Sequence, residues 1–171
     1  MEKETHSGEP IPVWLGLGAN LGDRAATIRR SLEAIESLPE TTLTQVSSLY
    51  LTPPLGPPDQ PEYINCVAQI ETTLPPLQLL QKLKAIEKSL GRKERERWRE
   101  REIDIDILFY GDRIVQQHSL QIPHPELQNR PFVLVPLAEI APELQHPIVK
   151  KKITELLRSI DVEEVVKWGE N

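Results

Sequence analysis

The sequence predicts an α+β domain in which an antiparallel sheet carries helices packed on one face. Apolar and polar residues alternate along several short segments, which is typical of strands that bury one face. Two longer segments repeat apolar residues at helical spacing. These elements follow one another as strand, helix, strand, strand, helix, strand, and later segments predict an elaboration at the C-terminus.

The first strand and the first helix are predicted before residue 39. Residues 11–18 are apolar and end at a glycine, which suits a buried strand. Asp23 is suited to cap the helix that follows, which we place from about Asp23 to Ser37. Apolar residues recur along this helix at helical spacing, namely Ile28, Leu32, Ile35 and Leu38.

The second and third strands flank a proline-rich segment. Residues 41–52 are rich in threonine, valine and leucine, which favours one strand that ends at the prolines. Residues 63–73 predict a strand whose smaller and apolar residues share one face, namely Ile64, Cys66, Ala68 and Ile70. The other face carries polar or larger side chains, namely Tyr63, Asn65 and Gln69.

A second helix and a fourth strand follow. Pro75 and Pro76 suit the start of the helix and Gly91 its end. The apolar stripe of the helix is Leu80, Leu83, Ile86 (or Glu87) and Leu90. Residues 102–110 alternate, with Ile103, Ile105, Ile107 and Phe109 on one face and Asp104, Asp106, Leu108 and Tyr110 on the other. Both aspartates therefore point the same way.

The C-terminal third adds shorter elements. Gly111 and Asp112 predict a tight turn that returns residues 113–115 as a hairpin. Residues 153–160 predict a late helix, and residues 162–168 a short closing strand. The complete order matches the βαββαβ motif of ferredoxin-like folds. We expect a single domain over residues 11–171, behind a disordered leader at residues 1–10.

Composition excludes several classes of protein. The net charge of -6 and the isoelectric point near 5.3 argue against a broad basic face for nucleic acid or an anionic membrane. Cys66 is the only cysteine, which excludes an intrachain disulfide and a cysteine-based zinc site. No segment reaches the 18 or so apolar residues of a membrane span. We therefore expect a cytoplasmic protein that binds neither nucleic acid nor membrane.

Basic residues are concentrated just before the fourth strand. They are Arg92, Lys93, Arg95, Arg97, Arg99 and Arg101, and they lead into Asp104 and Asp106. In an extended strand these aspartates have Cα atoms roughly 6.5 to 7 Å apart, and Mg²⁺ binds such carboxylates together with waters and phosphates. Arginines bind phosphate oxygens. The segment predicts a metal and polyphosphate site, and the alternatives are a solvated strand face and a charged loop with i to i+4 pairs.

Neighbouring segments favour an enclosed small-molecule site. Trp98 lies among charges, which favours a loop that closes over a ligand, with attachment to the domain edge as the alternative. The prolines of residues 52–61 predict a stiff wall, although a polyproline ligand for a partner has the same composition. The ring of Tyr63 and the amide of Asn65 suit a flat heterocycle, with cross-strand contact as the alternative.

Other motifs exclude common nucleotide folds. The glycines at positions 16, 18 and 22 depart by one residue from the G-x-G-x-x-G pattern of dinucleotide sites, and no G-x-x-x-x-G-K-[ST] phosphate loop occurs. A further loop combines cations with a ring in Pro123-His124-Pro125 and Arg130-Pro131-Phe132. His124 taken alone is more often structural or exposed than functional.

Five motifs occur in order between Val13 and Leu144: LGLGANLGDR, SSLYLTPPLGPPDQPEYIN, EKSLGR, RWREREIDIDIL and IPHPELQNRPFVLVPLAEIAPEL. Together they resemble the 6-hydroxymethyl-7,8-dihydropterin pyrophosphokinase family of folate biosynthesis. The resemblance implies a ferredoxin-like fold and an enzyme that transfers the pyrophosphoryl group of ATP to the hydroxymethyl oxygen of the pterin, releasing AMP. ATP and the pterin are then its partners, and we expect a monomer.

The resemblance also implies a role for each site residue. Asp104 and Asp106 would hold two Mg²⁺ ions and, with Arg92 and Arg101, form the catalytic set. The ATP-binding residues would be Glu87, Arg92, Arg95, Trp98, Arg101, His124 and Arg130. The pterin-binding residues would be Gly18, Thr52, Pro53, Leu55, Tyr63, Asn65, Trp98 and Phe132.

The basic segment departs from the family pattern G-R-x-R-x-x-R-W-G-P-R. Glu94 stands at the second arginine, and Arg99-Glu100 replaces Gly-Pro, so Arg95 is the candidate for the missing cation and loop closure is expected to differ. Two other functions compete with the implied one. A nucleotidyltransferase would release pyrophosphate instead of AMP, and an RNA-binding module on this fold would need aromatic pairs and a basic surface.

Overall fold

The computed structural model describes residues 8–54, 56–93, 95 and 100–169. Most of the expected leader, residues 1–7, lies outside them, as do Leu55, Glu94 and Trp98. The strands are β1 (Ile11–Ala19), β2 (Thr41–Val46), β3 (Tyr50–Thr52), β4 (Tyr63–Thr72), β5 (Asp104–Tyr110), β6 (Val115–Gln117), β7 (Leu120–Ile122) and β8 (Val166–Lys167). The helices are α1 (Arg24–Glu36), α2 (Pro76–Ser89), α3 (Pro131–Ile140) and α4 (Ile153–Arg158), with a 3₁₀ turn at Leu127–Asn129.

The main sheet is antiparallel throughout, in the order β5-β1-β4-β3-β8, and β2 also pairs with β4. Because β2 and β3 both pair with β4, they occupy one position in the sheet. The strand β8 extends the sheet beyond β3 through the pairs Tyr50–Lys167 and Leu51–Val166. The predicted α+β class with an antiparallel βαββαβ core is confirmed.

The boundaries of the first two helices follow from local chemistry. The Asp23 carboxylate accepts the N–H of Ala26 at 3.2 Å, which caps α1 as predicted. Gly91 follows α2 with a φ of 97°, a left-handed conformation that ends the helix and that glycine adopts without a steric penalty. The late helix and the closing strand are also confirmed, as α4 and β8.

The sheet separates two hydrophobic cores. On one face, Ile28 and Ile35 of α1 and Leu79 and Leu83 of α2 pack with β1, β4 and β5. On the other face, Leu134 and other apolar residues of α3, with those of α4, pack on the sheet. The C-terminal elaboration therefore covers the face that the two βαββαβ helices leave open.

The predicted single strand at residues 41–52 is wrong, because the chain leaves the ladder between β2 and β3. Ser47 N–H donates to the carbonyl of Val67 at 2.8 Å. In return, the N–H of Val67 donates to the Ser47 hydroxyl at 2.9 Å and not to a backbone carbonyl. A side chain thus replaces the backbone acceptor of a regular ladder, and the strand is interrupted there.

The predicted alternation along the fourth strand holds only as far as Leu108. The strands β1 and β5 pair Trp14 with Phe109 but Leu15 with Ile107, so Leu108 is an extra residue in β5. A β-bulge of this kind reverses the facing of the residues after it. Tyr110 therefore lies in the core with α1 and α2, and Phe109 lies in the other core against Trp14. The predicted faces of Phe109 and Tyr110 are wrong for this reason.

Two further predictions about the C-terminal third are corrected. Gly111 makes the expected turn with a φ of 53°, but the chain beyond it does not pair with β5. Instead β6 pairs with β7 as a separate two-stranded hairpin. The segment after Arg130 is also not a loop, because Pro131 occupies the first turn of α3, where its missing N–H costs nothing.

In the part of the chain that the structure describes, no helix is long and apolar enough to cross a membrane.

Candidate active site

A cavity of about 190 Å³ lies where β1, β4 and β5 face the start of α3. Its lining consists of Gly16, Leu17, Gly18, Thr52, Pro53, Tyr63, Asn65, Cys66, Val67, Arg101, Asp104, Asp106, Leu108, His124, Arg130, Phe132 and Val133. The charged groups come from β5 and from the segments that precede β5 and α3, and the aromatic groups come from β4 and the first turn of α3. One cavity thus combines an ionic part with a flat, partly apolar part.

The ionic part is built around two carboxylates on β5. Asp104 and Asp106 are two residues apart on the strand and pair in register with Gly18 and Gly16 of β1. Because the neighbouring positions are glycines, no β1 side chain fills the space beside the carboxylates. Enclosure and the negative charge of Asp104 raise the pKa of Asp106 to about 7.

These carboxylates fit Mg²⁺ better than a metal held by protein groups alone. Within the described ranges, no group of three or more His, Cys, Asp or Glu side chains converges on one point. Mg²⁺ needs only one or two protein carboxylates when waters and substrate phosphates complete its shell. A cation here would also offset both causes of the raised pKa of Asp106, its burial and the negative charge of Asp104.

Arg92 and Glu87 lie at the edge of the ionic part and do not line the cavity. The guanidinium of Arg92 donates to the Asp104 carboxylate at 3.1 Å. Glu87 is only 3% exposed, and its carboxylate accepts the N–H of Ile105 at 2.7 Å. Burial raises the pKa of Glu87. Glu87 therefore fixes the start of β5, and its carboxylate also lies 3.8 Å from Nε of Arg92.

Arg101 reaches the cavity from the segment before β5. Its N–H donates to the side-chain oxygen of Asn20 at 2.8 Å, and its carbonyl accepts the N–H of Asn20 at 3.1 Å. The Asn20 amide also donates to Gln60 at 3.2 Å and to the carbonyl of Pro61 at 3.1 Å. Asn20 is 1% exposed. Through these hydrogen bonds it joins the basic segment to the proline-rich loop.

His124 and Arg130 enter from the segment between β7 and α3. The Nδ1 atom of His124 accepts the N–H of Glu126 at 3.2 Å, so the proton of the neutral ring is assigned to Nε2. Burial, and then the charge of Arg130, lower the pKa of His124 to about 4. The guanidinium of Arg130 lies 5.5 Å from the centre of the Phe132 ring. The segment therefore presents a cation and a neutral N–H donor.

The flat part of the cavity is formed by β4 and α3. The Asn65 amide donates to the Thr52 hydroxyl at 2.7 Å, which fixes its orientation. Tyr63 precedes it on the same face of β4, and burial and the charge of Asp104 raise the pKa of Tyr63 to about 12. Phe132, in the first turn of α3, also lines the cavity.

Most residues that the sequence singles out surround this one cavity. The exceptions among the described ones are Glu87, Arg92 and Arg95. Arg95 is engaged elsewhere, because its guanidinium forms a bidentate pair with the Glu102 carboxylate at 2.7 and 2.8 Å. Leu55 and Trp98 lie outside the described residues.

Sequence reasoning gave no role to part of the lining. The cavity residues without one are Gly16, Leu17, Cys66, Val67, Leu108 and Val133. A role in the cavity could not be recognised for these residues, because apolar residues and glycines in strands are expected in any hydrophobic core. Asn20 was also missed, although a polar side chain directly after a buried strand was a usable signal.

Comparisons with known proteins give one consistent result. A family model described as 7,8-dihydro-6-hydroxymethylpterin-pyrophosphokinase (HPPK) matches residues 14–142. A Haemophilus influenzae protein named 2-amino-4-hydroxy-6-hydroxymethyldihydropteridine pyrophosphokinase is 45% identical over 157 residues, which cover 92% of this chain and 98% of that protein. A Pseudomonas aeruginosa protein of the same name is 47% identical over 135 residues, 79% of this chain and 83% of the relative.

Solved structures are similar in fold. The chain of wild-type Plasmodium falciparum HPPK-DHPS matches with a TM-score of 0.68 at 16% identity, over 89% of this chain and 45% of that one. An HPPK-DHPS structure in complex with substrates matches with a TM-score of 0.70 at 16% identity, over 89% of this chain and 43% of that one. This chain thus spans less than half the length of these two solved chains.

Proposed function

The chain belongs to the 7,8-dihydro-6-hydroxymethylpterin-pyrophosphokinase family, and we propose how its residues carry out the transfer of pyrophosphate from ATP to the pterin. It is an enzyme of folate biosynthesis that transfers pyrophosphate to hydroxymethyldihydropterin. ATP is the donor, and AMP is the second product. The observation that supports this proposal most directly is the two-part cavity, because one reactant is a charged polyphosphate and the other is a flat heterocycle.

The transfer joins the pterin hydroxymethyl oxygen to the β-phosphorus of ATP. As that bond forms, the bond from the β-phosphorus to the oxygen that bridges it to the α-phosphorus breaks. That oxygen leaves on AMP, and the pterin hydroxyl loses its proton to an acceptor that we do not assign. No covalent enzyme intermediate is needed, so catalysis depends on alignment and on charge neutralisation.

Asp104 and Asp106 would hold Mg²⁺, and we propose two ions. Bound Mg²⁺ neutralises phosphate oxygens as charge develops on them. The protein contributes two carboxylates on one strand face, with glycines beside them that leave room for phosphates and water. Arg92, which contacts Asp104, would bind a phosphate that Mg²⁺ holds beside that carboxylate.

Cationic and neutral donors surround the proposed phosphate position. Arg101 and Arg130 line the cavity and would bind phosphate oxygens through their guanidinium groups. His124 would donate from Nε2–H, because its Nδ1 is occupied by the N–H of Glu126. Arg101 is held through its backbone by Asn20, so its side chain extends from a fixed point.

The acceptor pterin would lie between Tyr63 and Phe132. Aromatic rings on two sides suit a flat heterocycle, because the heterocycle can stack on the face of each ring without directional hydrogen bonds. The Nδ2 of Asn65 donates to Thr52, which leaves Oδ1 to accept a hydrogen bond from a ring N–H or amino group of the pterin. Gly18 and Pro53 close the lining around this position.

Some roles rest on the sequence alone. Trp98 as a lid and Leu55 as a pocket wall stay predictions, as do ATP contacts for Glu87 and Arg95. Removal of the Trp98 indole should weaken retention of both ligands more than it lowers stability, and unchanged affinity for both would contradict a lid. A cytoplasmic monomer with a single domain over residues 11–171 is likewise proposed from the sequence.

Product analysis tests the proposed function. Incubation with ATP, Mg²⁺ and 6-hydroxymethyl-7,8-dihydropterin should give AMP and the pterin diphosphate in equal amounts, and a chelator should stop both. Formation of ADP would indicate transfer of a single phosphoryl group. Release of pyrophosphate would indicate nucleotidyl transfer, and either product pattern would contradict the proposal.

A further inference from the structure

The carboxylate of Glu139 connects two elements that carry opposite walls of the cavity. Glu139 lies near the C-terminal end of α3 and accepts hydrogen bonds from the break between β2 and β3. The N–H of Ser48 donates to both carboxylate oxygens at 3.1 Å, and the Ser48 hydroxyl donates at 2.9 Å. The hydroxyl of Tyr50 donates at 2.6 Å. One partly solvated side chain thus joins segments that are about 90 residues apart in sequence.

On the helix side, the connection leads to Phe132. Phe132 precedes Glu139 by seven residues, which is about two helical turns and places both on the same side of α3. Pro136 lies inside the helix and lacks the N–H that would bond to the Phe132 carbonyl. The first turn of α3 therefore has less internal support and depends more on contacts from outside the helix.

On the sheet side, the connection leads to Tyr63 and Asn65. Tyr50 is 7% exposed and pairs in register with Asn65. Two residues later on β3, Thr52 pairs with Tyr63 and receives the hydrogen bond that orients Asn65. Lys167 of β8 pairs with Tyr50 from the other side, and its charge adds to the field at the Glu139 carboxylate.

We propose that Glu139 is a positioning residue for the pterin part of the cavity, an inference that rests on the function proposed above. It fixes α3, and with it Phe132, relative to the strand pair that holds Tyr63 and Asn65. A heterocycle stacked between two rings requires one separation of those rings, so a small shift of α3 weakens binding of the pterin. The proposed phosphate site is built mainly by Asp104 and Asp106 of β5 with Arg92 and Arg101, which this connection does not touch, and only Arg130 directly precedes α3. Loss of the connection should therefore affect binding of the nucleotide less than binding of the pterin.

A set of three variants tests the inference. Tyr50→Phe removes one hydroxyl, Glu139→Gln removes the charge, and Glu139→Ala removes the whole connection. Pterin affinity is measured by calorimetry with Mg²⁺ and α,β-methylene-ATP, which cannot transfer pyrophosphate. We expect the pterin Kd to rise in that order, to roughly tenfold for Glu139→Ala, with the Kd for the ATP analogue within about twofold of the wild type.

Glu143→Gln is the matched control. Glu143 pairs with Lys152 at 2.7 Å, also in the C-terminal elaboration, but neither residue contacts the cavity. This variant should leave both affinities unchanged. Tyr50→Phe keeps the test decisive if the Glu139 variants do not fold, because it deletes a single oxygen atom.

The outcomes separate this inference from the proposed function. Equal pterin affinity in wild type and all folded variants would overturn the positioning role. A parallel loss of pterin affinity, nucleotide affinity and melting temperature would also overturn it, since it indicates general destabilisation. Wild-type protein that binds pterin but produces no AMP would overturn the proposed function, while the affinity ratios would still decide the role of Glu139.

Discussion

The amide oxygen of Asn65 occupies the space that a side chain at Gly18 would need. A β-carbon built on Gly18 would lie 2.4 Å from Oδ1 of Asn65 and 3.4 Å from Cδ2 of Tyr63. The two residues face each other in the register of β1 and β4. The Asn65 side chain can lie across the sheet only because position 18 has no side chain. Gly18 therefore leaves the space that the Asn65 amide occupies in the proposed pterin site.

Gly18→Ala should therefore weaken pterin binding. The new methyl group would push the Asn65 amide away from Thr52 and disturb the neighbouring Tyr63 ring. We expect the KM for the pterin to rise on the order of tenfold or more, with a much smaller change in the KM for ATP. Steady-state kinetics with each substrate varied in turn measure this. Gly169→Ala, which places a methyl group in open space, is the control, and equal effects of the two variants would contradict the prediction.

Asp104→Asn and Asp106→Asn should each abolish most turnover without unfolding the protein. Loss of a carboxylate that binds Mg²⁺ removes several kcal/mol of transition-state stabilisation, which corresponds to a decrease in kcat on the order of a thousandfold. The raised pKa of Asp106 means that its ionised form is disfavoured in the folded state, so its neutral replacement should not lower the melting temperature. Asp112→Asn, in the exposed turn after β5, is the control. Near-normal kcat in either site variant would remove the metal assignment.

Release of Arg95 from Glu102 should tighten ATP binding. In the structure, the Glu102 carboxylate holds the guanidinium of Arg95 through two hydrogen bonds, and this pairing lowers the pKa of Glu102 to about 2. A phosphate group must compete with that carboxylate if Arg95 is to contact ATP. Glu102→Gln should lower the Kd for ATP severalfold at low salt, and less at high salt.

The double variant checks whether Arg95 is responsible. If Arg95 contributes the added affinity, Glu102→Gln should have no effect on the Kd for ATP once Arg95 is replaced by alanine. Equal effects of Glu102→Gln with and without Arg95 would show that Arg95 does not contact the nucleotide. Titration calorimetry of the four proteins gives the complete cycle.

The low pKa of His124 predicts that this residue contributes a loss of stability in acid. Its pKa lies at about 4 in the folded protein and at 6.5 without the protein environment, so the unfolded chain takes up the proton first as the pH falls. Stability from the neutral ring is complete above about pH 6.5 and decreases towards pH 4. His146, whose pKa burial also lowers, contributes with the same sign.

Urea unfolding across this pH window measures the effect. Relative to the wild type, His124→Gln should lose the part of the slope by which stability falls with pH below about 6.5. The contribution of His146, which has the same sign, and that of Asp106, whose raised pKa gives the opposite sign, are present in both proteins. His118→Gln, in the exposed hairpin connection, is the control. An unchanged slope in His124→Gln would show that the ring titrates equally in the folded and unfolded states.

Predictions that depended on local pattern were the most successful ones. The shared face of Asp104 and Asp106 follows from the period of a strand, which holds over any two residues that have no bulge between them. The cap at Asp23 and the end of α2 at Gly91 need only the hydrogen-bonding and φ preferences of a single residue. The motifs around these elements identified the family because they can be recognised in the sequence without knowledge of the fold, and the family model matches residues 14–142, which contain them.

Tertiary structure alone decided which residues meet across the chain. The extra residue at Leu108 exchanged the faces of Phe109 and Tyr110, and it exists only relative to the register of β1. The break at Ser47 depends on Val67, and the hydrogen bonds of Ser48 and Tyr50 to Glu139 join α3 to the segment between β2 and β3. The sequence by itself determined the class and order of the βαββαβ elements, the aspartate face and the family. Pairing partners and the separation of the cavity walls arise from contacts between distant residues, which no local periodicity encodes.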